Sequence, residues 1–188
     1  MANENAFWEH FRREAPAWAS LLYSGQGKVV FEGIDNLLEL FRFPYCFDIT
    51  HENSVCYFIL SPEGNFVVAT RIDELVMSAP SIPKWKVFAR RQRKSLEDAC
   101  AIVRNLYLVD PSTARFRLFE RDGSQFIQMF VPPSADLETE EQIGLLYTFL
   151  WHAIGEATVM DEHIGAELFL AEPPLGATLS ASELVKRF

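Results

Sequence analysis

At Phe43 the hydrophobic pattern of this chain changes period, and that change constrains its class. Before it, Phe7, Phe11, Trp18 and Leu22, and then Ile34, Leu37, Leu38 and Phe41, recur as the faces of two helices. After it, Tyr45, Phe47 and Ile49 alternate with Cys46, Asp48 and Thr50. Same-face side chains return about every 3.6 residues on a helix and every second residue on a strand. Asn3 or Asn5 is placed to cap the first helix. Pro16 predicts a kink or a fresh helix start, because it has no N–H to donate, and Ser24-Gly-Gln-Gly27 ends the segment.

The same reading extends along the chain. His51-Glu-Asn-Ser54 supplies turn residues ahead of a second β-type run over 55–60, which predicts a hairpin. Val68, Ile72, Leu75 and Val76 mark a helix over 66–77, ended by Ala79-Pro80. Residues 85–93 alternate as a third strand, Ser95 opens a helix that Asp110-Pro-Ser112 breaks, and 115–120 and 125–131 flank Arg121-Asp-Gly-Ser124. The Asp-Gly pair accepts the positive dihedrals of a tight turn, the strongest hairpin signal in the chain. Thr139-Glu-Glu-Gln142 has the form of a capping box before the stripe Ile143, Leu146, Tyr147, Leu150, Ile154, with Gly155 as the stop. A last strand over 166–170, a Pro173-Pro174 linker and a short helix capped by Ser180-Ala-Ser-Glu183 complete the order.

Hairpins dominate these connections. They predict an α+β fold, with one mainly antiparallel sheet of about five to six strands covered by helices. A length of 188 residues suits a single domain with one core. The expected division is a helical N-terminal region 1–42, a sheet-and-helix core 43–172, and a C-terminal linker and short helix 173–188. No run reads as apolar enough to cross a bilayer, and the acidic N-terminus is unlike a signal peptide. Cys46, Cys56 and Cys100 cannot all pair, which suits a reducing, cytoplasmic setting. Cys46 and Cys56 fall on neighbouring strands of the first hairpin, as apolar side chains or as a redox pair.

The formal net charge is -9, so the whole-molecule field repels phosphate backbones and anionic lipid. Nucleic acid and membrane are therefore not expected partners. Against that background, Lys84, Lys86, Arg90, Arg91, Arg93 and Lys94 form a cationic ribbon. Strand alternation puts Lys84, Lys86, Arg90 and Lys94 on one exposed row, with Trp85 on the other face. The row has two uses: it discourages edge-to-edge aggregation, or it binds an acidic partner segment or anion through Lys86, Arg90, Lys94 and Trp85.

Three places resemble a family of uncharacterised bacterial proteins. They are Glu74-Leu-Val-Met-Ser-Ala-Pro80 running into Ile82-Pro-Lys-Trp85, the hairpin end Phe130-Val-Pro132 before an acidic helix start, and Gly155-Glu156 with Ile164-Gly165 and Glu167-Leu168-Phe169. The resemblance spans residues 40 to 172 and implies no reaction, cofactor or catalytic residue. In the Ala-Pro-x-Ile-Pro-x-Trp junction, the prolines stiffen the crossover and Trp85 either anchors the next strand or lines a ligand site.

No nucleophile elbow, phosphate loop or Cys-His signature is present, so no catalytic residue and no cofactor is expected. His152 and Glu156 stand one helical turn apart with His163 nearby, a candidate metal set for a small hydrolase. Their other reading is exposed polar residues on a surface helix. The expected function is a non-catalytic interaction or regulatory protein recognising an acidic partner or anion. The metal-assisted hydrolase is the alternative.

Overall fold

Two hydrophobic cores organise the chain where one was expected. The computed structural model describes residues 2–121, 123–133, 135–176 and 178–188. The chain divides into two compact units, Met1–Arg90 and Arg91–Phe188. The α+β class holds. The single, mainly antiparallel sheet does not: there are two small mixed sheets, of three and four strands.

In the first unit, helix α1 (Ala2–Tyr23) continues through Pro16 rather than restarting there. It closes with a Gly25 cap: the Gln26 N–H reaches the Leu21 carbonyl at 2.9 Å and the Gly25 N–H the Leu22 carbonyl at 3.1 Å. Gly25 has φ +78°, which a residue without a Cβ adopts freely. Helix α2 (Gly27–Leu40) follows. Strands β1 (Cys46–Glu52) and β2 (Val55–Ser61) then pair antiparallel around Asn53-Ser54, at φ 47° and 62°. Because this turn is only two residues long, His51 and Glu52 lie in the strand and not in the turn. The register it sets places Cys46 opposite Ser61 and Cys56 opposite His51, so the two thiols do not face each other.

Helix α3 (Phe66–Met77) starts at Asn65, whose side chain accepts the Val67 and Val68 N–H groups. It returns the chain to β3 (Trp85–Phe88), parallel to β2. Phe11 sits at the middle of the aromatic core, stacked on Phe58 and edge-on to Trp85, with centroids 5.2 Å away in both cases.

The second unit begins with helix α4 (Leu96–Tyr107), capped by the Ser95 hydroxyl, which accepts the Asp98 N–H at 3.1 Å. The Asp110 carboxylate accepts the Ser112 N–H in a short 3₁₀ turn, and that bond holds its pKa below the ordinary carboxylate value. Strands β4 (Arg115–Arg121) and β5 (Ser124–Val131) form the second hairpin. Asp122 of the Asp-Gly signal lies outside the described residues; Gly123 has φ +79°.

Helix α5 (Thr139–Leu150) is capped one residue earlier than its sequence suggests, the Glu141 carboxylate accepting the Glu138 N–H at 2.9 Å. A wide turn, Trp151–Gly155, and helix α6 (Glu156–Asp161) lead to β6 (Gly165–Leu170), parallel to β5. A two-residue strand β7 (Leu179–Ser180) pairs with the start of β4, and helix α7 (Ala181–Val185) begins at the Ser180–Glu183 capping box. Phe116, Ile127 and Met129 from the sheet pack with Leu145, Leu146 and Phe149 from α5 as the second core.

Each unit therefore has the same order: hairpin, helix, and a strand parallel to the hairpin's second strand. A parallel return requires a crossover, supplied by α3 in one unit and by α5 and α6 in the other. Thr139–Asp161 is, by length and composition, apolar enough to cross a membrane, with mean hydropathy 1.2, contrary to the expectation that no run is. Most of it is buried, with Leu145, Leu146, Phe149, Leu150 and Ile154 in the second core.

Candidate interaction surface

The cationic ribbon does not form one row. Strand β3 ends at Phe88, not Arg93, because its pairing with β2 stops at Ile59 and the chain then bends at Ala89 and Arg90. Trp85 is buried in the first core and its Nε1 donates to the Ala15 carbonyl at 3.0 Å. It anchors the strand and presents nothing to a partner. Arg90 is only 15% exposed; its guanidinium grips Asp73 of α3 with two hydrogen bonds, at 2.7 and 2.9 Å. A forked pair of this kind occupies the donors that an incoming anion would use. Lys86 is exposed and Lys94 half-buried, but Lys86 belongs to the first unit and Lys94 to the second.

Residues 91–94 have a structural role instead. In a continuous α-helix the Glu156 N–H would bond the His152 carbonyl. Here the Lys94 N–H takes that carbonyl at 2.8 Å, and the Glu156 N–H bonds the Arg91 carbonyl at 3.1 Å. One Glu156 carboxylate oxygen also accepts the Arg91 N–H at 2.9 Å. The helix opens into the wide turn to admit these partners, and Gly155, at φ +97° and ψ 136°, allows the chain to leave helical space and re-enter it at once. The Arg91 guanidinium lies 4.9 Å from the Trp151 ring centroid, within cation–π range.

The same geometry disposes of the metal set. His152 and Glu156 were expected to share a helix face, but Gly155 breaks the helix between them. Glu156 is fully buried and His152 nearly so, not exposed as a surface helix would leave them. His163 takes φ +50° two residues after the end of α6, where the Ile164 N–H reaches back to the Val159 carbonyl at 3.0 Å, so its position is that of a helix cap. Among the described residues, no group of three or more His, Cys, Asp and Glu side chains is placed to hold a metal ion.

A cationic face that the sequence reading missed lies on the second sheet. Phe116 and Leu118 of β4 point into the core, so alternation turns Arg115, Arg117, Phe119 and Arg121 to the opposite face. Register places Phe130 beside Arg115, Gln128 beside Arg117 and Phe126 beside Phe119, and then Phe169, Glu167 and Gly165 of β6. Phe130 and Phe169 stack at 5.4 Å, and the Arg121 guanidinium lies 5.5 Å from the Phe126 ring centroid.

Gly165 lets the Phe126 ring lie against the neighbouring strand: a Cβ there would meet that ring at 2.5 Å. Arg115, Arg117 and Arg121 are all exposed. Arg121 pairs loosely with Glu167 at 3.8 Å. Arg115 and Arg117 make no ion pair among the described residues, although Arg115 acts weakly through space on Glu183. Only Arg115 and Phe116 pair with β7, so among the described residues β4 has an open edge from Arg117 onward. The alternation that singled out residues 84–94 was the signal available for β4, where Arg115, Arg117 and Arg121 fall on one side of the strand.

Compared with protein-family models, curated proteins and solved structures, the chain matches none. The geometry of its own residues is what bears on function.

Proposed function

We propose that the chain is a non-catalytic interaction protein that takes an acidic, extended partner segment on the Arg115–Arg117 side of its second sheet. The observation that carries this is two exposed guanidinium groups, free of carboxylate ion pairs among the described residues, two positions apart on a strand with an open edge. Side chains at that spacing stand about 7 Å apart, the repeat of alternate side chains in any extended chain. A partner with a carboxylate at every second residue meets both arginines, with forked hydrogen bonds to each. A strand added at the β4 edge satisfies backbone groups that the sheet leaves open.

Amide chemical-shift mapping with a peptide of alternating Glu and Val at low salt tests this. The account predicts perturbations over residues 115–119 and 126–130 that weaken as salt is added. Perturbations confined to other residues, or tighter binding of a single-stranded oligonucleotide, would count against it.

A further inference from the structure

A second site stands in the first unit. A cavity of about 300 Å³ is lined by α1 from Arg12 to Tyr23 and by Ile82, Pro83 and Lys84. Its walls are apolar: Ala15, Pro16, Ala19, Ile82 and Pro83, with the Tyr23 ring. Its charged groups are both cations, Arg12 and Lys84. Neither is in a carboxylate ion pair among the described residues.

Lys84 reaches this position through an unusual backbone. The Trp85 N–H closes a turn onto the Ile82 carbonyl at 3.1 Å, with Pro83 and Lys84 as the central residues. Lys84 takes φ +66°, the conformation that glycine or asparagine supplies at the third position of a turn with proline second. The Lys84 carbonyl is also fixed, accepting the Cys56 N–H at 2.7 Å, and the ammonium lies 6.0 Å from the Tyr23 ring centroid. A lysine is thus held in left-handed space, at a steric cost, with its charge at the wall of a cavity.

The Tyr23 phenol adds no negative charge. It donates to the Ser54 carbonyl at 2.7 Å and lies 3.5 Å from the Cys56 sulfur, and the Cys56 neighbour pushes its pKa up to about 12. It remains a neutral wall through the physiological range. A cavity with apolar walls, two unneutralised cations and no lining carboxylate selects an oxyanion carried on a small apolar body.

We infer that this cavity binds a small amphipathic acid, a carboxylate or phosphate on an apolar body, with Arg12 and Lys84 on the oxyanion. Calorimetric titration with phenyl phosphate and with benzoate separates the two headgroups. Inorganic phosphate and benzyl alcohol supply the head and the body alone. At least one of the two acids is expected to bind at least about tenfold more tightly than either fragment, and Arg12→Ala is expected to weaken that binding at least about fivefold.

Two variants at Lys84 separate charge from backbone. Lys84→Gly relieves the left-handed strain, so it should raise Tm while losing binding; Lys84→Gln should lose binding without raising Tm. Absence of binding by both acids to the wild-type chain, or binding of wild-type affinity by Arg12→Ala and by Lys84→Gln, would overturn the inference.

Discussion

The buried carboxylate of Glu156 holds the N–H of Arg91 at 2.9 Å, while the Glu156 N–H returns to the Arg91 carbonyl at 3.1 Å. This reciprocal pair fixes the first residues of the second unit against the opened helix. Glu156→Leu removes the carboxylate that accepts the partly buried Arg91 N–H, which should cost about 2–3 kcal/mol. Glu156→Gln keeps an acceptor and should cost about 1 kcal/mol or less. Urea denaturation followed by far-UV circular dichroism measures both, and an equal loss in the two variants would contradict the hydrogen-bond account.

The Gly155-Glu156 dipeptide was visible in the sequence, but its meaning was not. Periodicity identified Gly155 as a helix stop, which it is; nothing in a linear pattern says that the helix restarts one residue later or that residues 91–94 enter the gap. Capping residues such as Ser95 and Ser180 act within three positions of themselves, and both were legible. The pairing of β3 with β2 and of β6 with β5 joins residues far apart, and period-two alternation carries no information about the partner strand. That is why one antiparallel sheet was expected where there are two mixed ones.

Arg90 was legible as a cation and misplaced as a binding group. Its forked pair with Asp73 is partly buried, and Asp73 is 46% exposed and can rehydrate, so Arg90→Ala should cost about 1 kcal/mol. A double-mutant cycle with Asp73→Asn checks this: a coupling near zero would show that the pair contributes nothing to stability.

The Tyr23 phenol gives a pH signature. Its pKa is raised by the neighbouring Cys56 to about 12, above an unfolded value of about 10. Its contribution to stability is therefore complete below the unfolded value and is lost as pH rises through the folded one. Cys56→Ala should lower the Tyr23 pKa toward about 10. Ultraviolet titration, with Tyr23→Phe identifying the signal, would show the shift; an unmoved Tyr23 titration would remove Cys56 as its cause.

Asp110 shows the opposite sign. Its lowered pKa means stability that is present above the ordinary carboxylate range and lost as pH falls through the folded value. Asp110→Asn should therefore lose less stability than the wild-type chain between neutral pH and about pH 3. Thermal melts across that interval test it, and parallel losses in the two proteins would contradict the assignment.

The most direct test of the central claim is the affinity of the alternating Glu-Val peptide for three proteins at one low salt concentration: wild type, Arg115→Glu with Arg117→Glu, and Lys86→Glu with Lys94→Glu. Recognition through the second sheet predicts a loss of at least about tenfold in the arginine pair and a change within about twofold in the lysine pair. Wild-type affinity in the arginine pair, or a loss confined to the lysine pair, would contradict it.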